Sequence, residues 1–267
     1  MKVLKKVLVV FTVIALAGAF SVNAAFAKNY EELFLDFQEH FSDDGHPYKY
    51  HLRKKVKNVI ILIPDGCSQS ILTLARWYKG EKLTVDRLHS GVVKHEMANS
   101  VITGSAAAGT AFATGYKTTA RFLGIGPRVE DVLSSYEWPE DPETFSYKPI
   151  ASVMEGAKLK GKATGLISTS RFTHATPAAW ACHSADRGNE GTDISEHMVY
   201  NNIDLVFGGG ERNLVPASAG GKRTDEEDLL QVLMDRGYTI ARTEAEMNAV
   251  GSLPVYGMFA WSHMDSE

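Results

Sequence analysis

The chain has 267 residues, of which 44% are hydrophobic and 22% are charged, and its formal net charge at pH 7 is −4. This length predicts one or two domains, and the composition is that of an ordinary globular protein. Because the sequence has no basic run and its net charge is negative, we expect no nucleic-acid partner.

The first 27 residues have the pattern of a signal peptide. An apolar stretch over 7–20 follows three lysines, and Ala25-Phe26-Ala27 fits the small-x-small cleavage rule. This stretch is short for a membrane span, which favours cleavage over an N-terminal anchor. We therefore expect an exported protein, periplasmic or extracellular, without a stable membrane span after cleavage. Residues 28–55 predict a polar leader.

The sequence has only two cysteines, Cys67 and Cys182. Two distant cysteines do not make a disulfide framework, although export would place them in an oxidising compartment. We interpret both as buried small apolar residues, and a single bridge between them stays open at this point.

A buried strand is predicted over 56–64, where the apolar run VKNVIILIP ends at a proline. Such runs are typical of parallel sheets covered by helices. Asp65-Gly66 follows directly, at the strand end where open α/β sheets bind ligands. The alternative is a simple Asp-Gly turn. A helix is predicted next, over 70–78.

The stretch NSVITGSAAAGTAFATGYKT, over 99–118, predicts a tightly packed helix that begins near Ser105. The free N–H groups and the helix dipole at that end favour an anion, so Ser105 is a candidate nucleophile toward phosphorus. By itself, a serine at this place is more often only an N-cap. The stretch fits neither a Gly-x-Ser-x-Gly elbow nor a P-loop.

A second polar cluster follows the strand predicted over 162–169. His174 and Thr176 are two residues apart and point the same way in an extended chain. A helix is predicted over 178–187 and ends at Arg187. That arginine is either a surface charge at a helix end or a planar fork for a phosphate.

The remaining elements continue this alternation of helices and strands. Helices are predicted over 150–160 and over 224–236, the second capped by Thr224. Strands are predicted over 204–207 and 253–260. The order of elements indicates an α/β fold with a mostly parallel central sheet.

Four motifs in this order resemble the alkaline phosphatase family. They are NVIILIPDG at 58–66, TGSAAAGTAFATGYKT at 103–118, THATPAAWACHSADR at 173–187 and DLVFGGG at 204–210. The resemblance covers the chain from about residue 58 to its end. It implies a three-layer α/β sandwich and hydrolysis of phosphomonoesters, with a homodimer as the full-length assembly.

The resemblance also implies roles for five residues. Ser105 matches the nucleophile that becomes phosphorylated, and Arg187 matches the arginine that holds two phosphate oxygens. Asp65 matches a carboxylate shared between zinc and magnesium, and Thr176 matches a magnesium ligand. His174 stands where the family has Asp or His, as a metal ligand or one water removed. Because no histidine is near Ser105 in sequence, metal activation fits better than a Ser–His relay.

The chain departs from the family pattern in two ways. Gly104 replaces the aspartate that usually precedes the nucleophile and helps to hold the arginine. Nothing after Arg187 matches the family's later zinc ligands and magnesium-binding glutamate. We therefore expect residues 56–267 to be the N-terminal part of a single catalytic domain that is incomplete at the C-terminus. Alone, it should have little or no phosphatase activity.

Two other functions stay open beside this one. A phosphodiesterase of the same superfamily would use a similar site, whereas a sulfatase would need a Cys-x-Pro-x-Arg string that the sequence lacks. A non-catalytic exported protein could hold phosphate with the helix N-terminus and Arg187. The phosphomonoesterase hypothesis requires that Asp65, Ser105, Thr176 and Arg187 converge at one edge of the sheet.

Overall fold

The computed structural model describes residues 56–265, so the predicted signal peptide and polar leader lie outside the described residues. The chain divides into two compact units. Among the described residues, the first contains 56–63 together with Ile71–Val92, and the second contains Pro64–Ser70 together with 93–265. The predicted domain boundaries stay a prediction.

The first unit contains most of helix α1, Gln69–Lys79, and the short 3-10 helix Thr84–Leu88. Helix α1 confirms the helix predicted over 70–78. The Arg76 guanidinium donates to the Asp86 carboxylate from Nε, at 2.9 Å, and from Nη2. This hydrogen bond lowers the pKa of Asp86 to about 2.

The strand predicted over 56–64 is wrong, because this segment has no regular secondary structure. The side chains of Val59, Ile60 and Leu62 are 77%, 83% and 87% exposed. An apolar run becomes a buried strand only where neighbouring strands hydrogen-bond to it and helices cover it. The part of the chain from 56 to 265 supplies neither for this segment.

A four-stranded parallel sheet organises the second unit, with the strand order β1-β2-β4-β3. It confirms the predicted α/β class and the parallel pairing. The register aligns Leu166, Val206 and Tyr256 in one row across three strands. The strands are β1 Gly165–Arg171, β2 Leu205–Gly209, β3 Thr239–Ala241 and β4 Val255–Ala260.

Short helices and helical turns connect and cover these strands. The helices are α2 Ser105–Thr114, α3 Pro142–Phe145, α4 Val153–Leu159, α5 Ala175–Ala178, α6 Ser195–Tyr200, α7 Leu229–Asp235 and α8 Glu244–Ala249. A π-helical turn spans Glu190–Ile194, and 3-10 turns span Val129–Asp131, Glu211–Asn213 and Ala217–Ala219. Within residues 56–265, no helix is both long and apolar enough to cross a bilayer.

The hydrophobic core lies on one face of the sheet. Val206, Tyr256 and Met258 are buried there with residues of α6 and α7, and the Tyr256 hydroxyl donates to the Met198 carbonyl at 2.9 Å. On the other face, Ile167 is 74% exposed. Strand β1 therefore alternates between exposed and half-buried residues, so the interpretation of 162–169 as a buried strand is wrong.

Both cysteines are free thiols. Cys182 is buried in the core, and burial raises its pKa. Cys67 is only half-buried, so its predicted burial is wrong.

Two predicted helices are displaced in the structure. The helix expected over 178–187 is instead α5, Ala175–Ala178, because the next residues turn away to pair Ser184 with Leu123. The helix expected from Thr224 begins later, at Leu229. Its N-cap is Asp228, which accepts from the Gln231 N–H at 3.0 Å.

Helices α2 and α5 approach each other closely at Gly109. A Cβ at this position would lie 3.0 Å from the Ala179 Cβ and 3.6 Å from the Ala175 carbonyl oxygen. Cβ atoms rarely approach other atoms this closely. Glycine at 109 and alanine at 179 therefore allow the two helix backbones to lie this near. This contact sets the separation between Ser105 on α2 and Thr176 on α5.

We expect Gly109→Val to destabilise the protein by about 1–3 kcal/mol, because overpacking forces α2 and α5 apart. Equilibrium urea unfolding measures the change. Gly156→Val is the matched control, since it places the same side chain in helix α4 where nothing lies within 4 Å. Equal losses in the two variants would show that helix propensity, rather than the α2–α5 contact, decides the result.

Candidate active site

Ser105 is the first residue of helix α2, which confirms the predicted position. Gly104 is the N-cap in extended conformation, and Gly115 ends the helix in a left-handed conformation with φ of 80°. The N–H groups of the first turn have no acceptor within the helix. Ala106 and Ala107 are buried, whereas Ser105 is half-buried. The serine hydroxyl therefore stands at the positive end of a packed helix.

Asp65 occupies a tight turn rather than a strand end. The Cys67 N–H donates to the Pro64 carbonyl at 3.0 Å, and Gly66 has a φ of 74° between them. This geometry is that of a type II turn, whose third residue favours glycine. The turn presents the exposed Asp65 carboxylate to the ends of α2 and α5.

The Asp65 carboxylate joins two distant segments. Its Oδ1 accepts from the Ser105 hydroxyl at 3.2 Å, and its Oδ2 accepts from the Thr176 hydroxyl at 2.7 Å. Ser105 lies 40 positions and Thr176 lies 111 positions after Asp65 in sequence. The structure thus brings a nucleophile candidate and two oxygen ligand candidates within hydrogen-bond distance.

A second pair lies beside this trio. The Arg187 guanidinium contacts His174 through a hydrogen bond of 2.9 Å between Nη2 and the imidazole Nε2. His174 is the N-cap of α5, two residues before Thr176. Because the guanidinium can only donate, Nε2 accepts, and the proton of a neutral imidazole is on Nδ1. Burial, followed by the positive charge of Arg187, lowers the pKa of His174 and favours that neutral form.

Arg187 is held by a turn and not by a helix end. Its backbone N–H donates to the Arg121 carbonyl at 2.9 Å, next to the bridge between Leu123 and Ser184. Gly124 is required in this packing, because a Cβ there would lie 2.3 Å from the Cys182 carbonyl oxygen. The predicted helix end at Arg187 is therefore wrong.

His183, four residues before Arg187, connects this turn to helix α4 by hydrogen bonds. Its Nδ1 faces the Gly124 carbonyl at 2.7 Å, and its Nε2 faces the Glu155 carboxylate at 3.0 Å. Both partners are acceptors, so these contacts favour the imidazolium form, in which both ring nitrogens carry protons. Burial lowers the pKa of His183, but its hydrogen bonds to Glu155 and Gly124 outweigh burial and raise it above 6.5. Burial raises the pKa of Glu155, whereas hydrogen bonds, first that from His183, bring it down to about 2.

These pKa values predict a stability maximum for the His183–Glu155 pair between about pH 4.5 and about pH 6.5. A raised histidine pKa stabilises the folded state at low pH, and that contribution disappears as the pH rises through the folded-state pKa. A lowered carboxyl pKa stabilises the folded state at higher pH, and that contribution disappears as the pH falls toward 2. We expect His183→Gln to remove about 1–2 kcal/mol at pH 6 and less at pH 9. Urea midpoints across this range measure it, and a loss that is independent of pH would contradict the prediction.

Comparison with known proteins identifies the family. The family model described as alkaline phosphatase matches residues 56–267. The chain belongs to the alkaline phosphatase family. It is 31% identical over 227 residues to the alkaline phosphatase of Schizosaccharomyces pombe, covering 79% of this chain and 39% of that protein. It is 28% identical over 243 residues to the repressible alkaline phosphatase of Saccharomyces cerevisiae, covering 80% and 40%.

The fold is also that of solved alkaline phosphatases. The crystal structure of Thermus thermophilus alkaline phosphatase superposes with a TM-score of 0.57 at 30% identity, over 72% of this chain and 37% of that one. The chain thus spans about two-fifths of the length of these relatives.

The residues of this family member fit part of a divalent-cation site. The Asp65 carboxylate and the Thr176 hydroxyl are oxygen donors, which Mg²⁺ prefers. A catalytic zinc ion usually takes three protein ligands. Between residues 56 and 265, the only trio of His, Cys, Asp or Glu ligand atoms close enough together is elsewhere, at Glu196, Asp225 and Glu227. Arg223 already pairs with two of these.

Sequence reasoning missed two residues next to the site. Glu190 binds the turn that carries His174, and the His263 ring lies 5.6 Å from the His174 ring. Neither belongs to one of the four motifs. The position of Glu190 three residues after Arg187 is the only signal that places it near the site.

Proposed function

We propose that this chain supplies the nucleophile and the phosphate-binding arginine of a metal-dependent phosphomonoester hydrolase. The observation that carries the proposal is the Asp65 carboxylate, which accepts from the hydroxyls of both Ser105 and Thr176. Membership in the alkaline phosphatase family supports the same reaction. Its substrates are small phosphomonoesters, and its product is inorganic phosphate.

Ser105 attacks the phosphorus atom in the proposed reaction. A bond forms between Ser105 Oγ and phosphorus, the bond from phosphorus to the ester oxygen breaks, and the alcohol leaves with a proton. Water then hydrolyses the phosphoserine and releases inorganic phosphate. The N-terminus of α2 stabilises the negative charge of the phosphoryl group throughout.

A serine hydroxyl is a weak nucleophile at neutral pH and must lose its proton. Its hydrogen-bond partner here is Asp65, which orients the hydroxyl. Asp65 and Thr176 would hold Mg²⁺ or Zn²⁺, and His174 would join them as a ligand only if Arg187 released its Nε2. When bound, such ions stabilise the alkoxide and the departing oxygen.

Arg187 binds the phosphoryl oxygens in this proposal. Its planar fork can donate two parallel hydrogen bonds to the phosphoryl group. Gly104 offers no carboxylate to hold the fork, and His174 takes that place through Nε2. His174 thus orients Arg187 as a neutral acceptor, which leaves the full positive charge for phosphate.

The cellular setting of this reaction follows from the N-terminus. We infer export to the periplasm or the extracellular space from the signal-peptide pattern of residues 1–27. A homodimer of the full-length protein is part of the same proposal, by its likeness to the family.

Trapping the phosphoserine tests the proposal. The 267-residue chain is incubated with inorganic phosphate, Zn²⁺ and Mg²⁺ at low pH, and peptide mass spectrometry then locates the phosphoryl group. We expect modification at Ser105 and none in Ser105→Ala. Ser218→Ala, at an exposed serine far along the chain, is the matched control and should be modified like the parent.

Turnover of p-nitrophenyl phosphate by the same samples should stay close to that of Ser105→Ala, because residues 56–265 bring too few metal ligands to Asp65 for repeated cycles. Trapping the phosphoserine requires only one slow phosphorylation of each chain. Phosphate binding without a phosphoserine would contradict the proposed enzyme and favour a binding protein. Metal-dependent turnover would contradict the expected low activity.

A further inference from the structure

The Glu190 carboxylate is the centre of a buried network beside the site. Its side chain is 18% exposed, and it accepts four hydrogen bonds. Arg171 donates from Nε at 2.7 Å and from Nη2 at 2.6 Å, the Thr173 hydroxyl donates at 2.6 Å, and the Asn213 amide donates at 3.3 Å. Both carboxylate oxygens are therefore used.

The network requires a charged carboxylate at this position. Burial raises the pKa of Glu190, but the hydrogen bonds from Arg171 and Thr173 outweigh burial and hold it below its usual value. The Arg171 side chain is only 14% exposed, so it needs a counter-ion. An amide would turn a donor toward Arg171 or Thr173 and leave the guanidinium without a full charge partner.

Glu190 fixes the turn that presents the ligand candidates. Arg171 ends β1, and Thr173 directly precedes His174, whose N–H donates to the Arg171 carbonyl at 2.9 Å. Gly210 packs against this turn, since a Cβ there would lie 3.0 Å from the Arg171 Cβ. The Asn213 amide also donates to the Thr173 hydroxyl at 2.6 Å, so a third segment closes the network.

Glu190 also belongs to the segment that carries Arg187. It follows Arg187 by three residues, and the Asn189 N–H donates to the Asp186 carbonyl at 3.1 Å within the intervening turn. The carboxylate thus links the segment of Arg187 to the turn that carries His174. The Arg187–His174 hydrogen bond is a second link between the same two segments. Arg171 Nη1 continues the network to His263, whose ring faces His174.

We propose that Glu190 is a positioning residue, which holds the His174–Thr176 turn and Arg187 at the separation that phosphate binding requires. This inference rests on the proposed function of Arg187. Glu190 touches neither the nucleophile nor the phosphate, and it acts through Arg171 and Thr173. Removing its charge loosens both segments, so the arginine fork loses its fixed orientation.

Isothermal titration with inorganic phosphate, in the presence of Zn²⁺ and Mg²⁺, tests the inference on the 267-residue chain. We expect Glu190→Gln to weaken phosphate binding about tenfold, which corresponds to about 1.4 kcal/mol. If Glu190 only stabilises the fold, Glu190→Gln should lower the free energy of unfolding and leave phosphate affinity unchanged. The matched control is Asp225→Asn, which weakens another buried arginine pair, that of Arg223. It should lower stability while phosphate affinity stays unchanged.

Thr173→Val is a milder variant in case Glu190→Gln does not fold. It keeps the side-chain volume, removes one donor to Glu190, and should weaken phosphate binding about threefold. The side-chain Nε–H signal of Arg187 in NMR spectra without phosphate should shift or broaden in both variants but not in Asp225→Asn.

The outcomes separate the inference from the proposed function. Unchanged phosphate affinity and an unchanged Arg187 signal in Glu190→Gln and Thr173→Val would overturn the inference. If Arg187→Ala also leaves phosphate affinity unchanged, the proposed function fails as well. Weaker binding in Asp225→Asn equal to that in Glu190→Gln would likewise overturn the inference, because general destabilisation would explain both.

Discussion

Arg187→Ala is expected to weaken the binding of inorganic phosphate about tenfold to a hundredfold. The variant loses a charge-assisted contact to the phosphate, and a hydrogen bond to a charged group contributes a net of about 1.5–3 kcal/mol. A loss of tenfold to a hundredfold corresponds to about one such bond. Isothermal titration in the presence of Zn²⁺ and Mg²⁺ measures the change. The fold should persist. Arg187 is only half-buried, and the backbone hydrogen bond from its N–H to the Arg121 carbonyl remains when its side-chain contact with His174 is removed.

Two further variants make this result specific. Arg187→Lys keeps the charge but loses the fork, so it should recover only a small part of the lost affinity. Arg242→Ala removes an exposed arginine that pairs with Glu211 and should bind phosphate like the parent. Full recovery in Arg187→Lys would show that charge alone, rather than the planar geometry, binds the phosphate.

Asp65→Asn is expected to reduce phosphoserine formation at Ser105 about a hundredfold to a thousandfold, comparable to losing one preorganised electrostatic group in other active sites. The amide keeps the size of the side chain but removes its charge. It can accept from Ser105 or from Thr176 with its one oxygen, and its NH₂ group then faces the other hydroxyl. The rate of phosphoryl incorporation from inorganic phosphate, followed by mass spectrometry, measures the loss.

Stability should hardly change in Asp65→Asn, because the side chain is exposed and its turn is fixed by Gly66 and the Pro64–Cys67 hydrogen bond. Asp131→Asn is the control, since Asp131 forms an exposed pair with Arg128 and should leave phosphorylation intact. Normal incorporation in Asp65→Asn would remove the observation on which the proposed function depends.

Local sequence signals were sufficient where a residue's own neighbours determine its structure. The small-residue run after Ser105 predicted helix α2, and the short apolar segments over 204–207 and 253–260 predicted β2 and β4. The family motifs also singled out Asp65 and the two residues that hydrogen-bond to it, Ser105 and Thr176. Helix α2 and the two strands depend on the propensities of neighbouring residues, and the site residues lie inside short motifs that can be recognised locally.

The errors arise where distant segments decide the outcome. The apolar run before Asp65 has the pattern of a central strand, yet no strand in the described part of the chain pairs with it. The helix expected to end at Arg187 stops early because Ser184 pairs with Leu123, about 60 residues away in sequence. Glu190 could not be found from its own neighbourhood, since its partners Arg171, Thr173 and Asn213 lie on two other segments.

The exposed run from Val59 to Leu62 also has a consequence for handling the protein. Four consecutive aliphatic residues without a charge, three of them β-branched, have the composition of segments that form cross-β contacts between chains. Concentrated samples should therefore precipitate through this segment before the sheet itself unfolds. A lysine at position 60 would act as a gatekeeper against such aggregates.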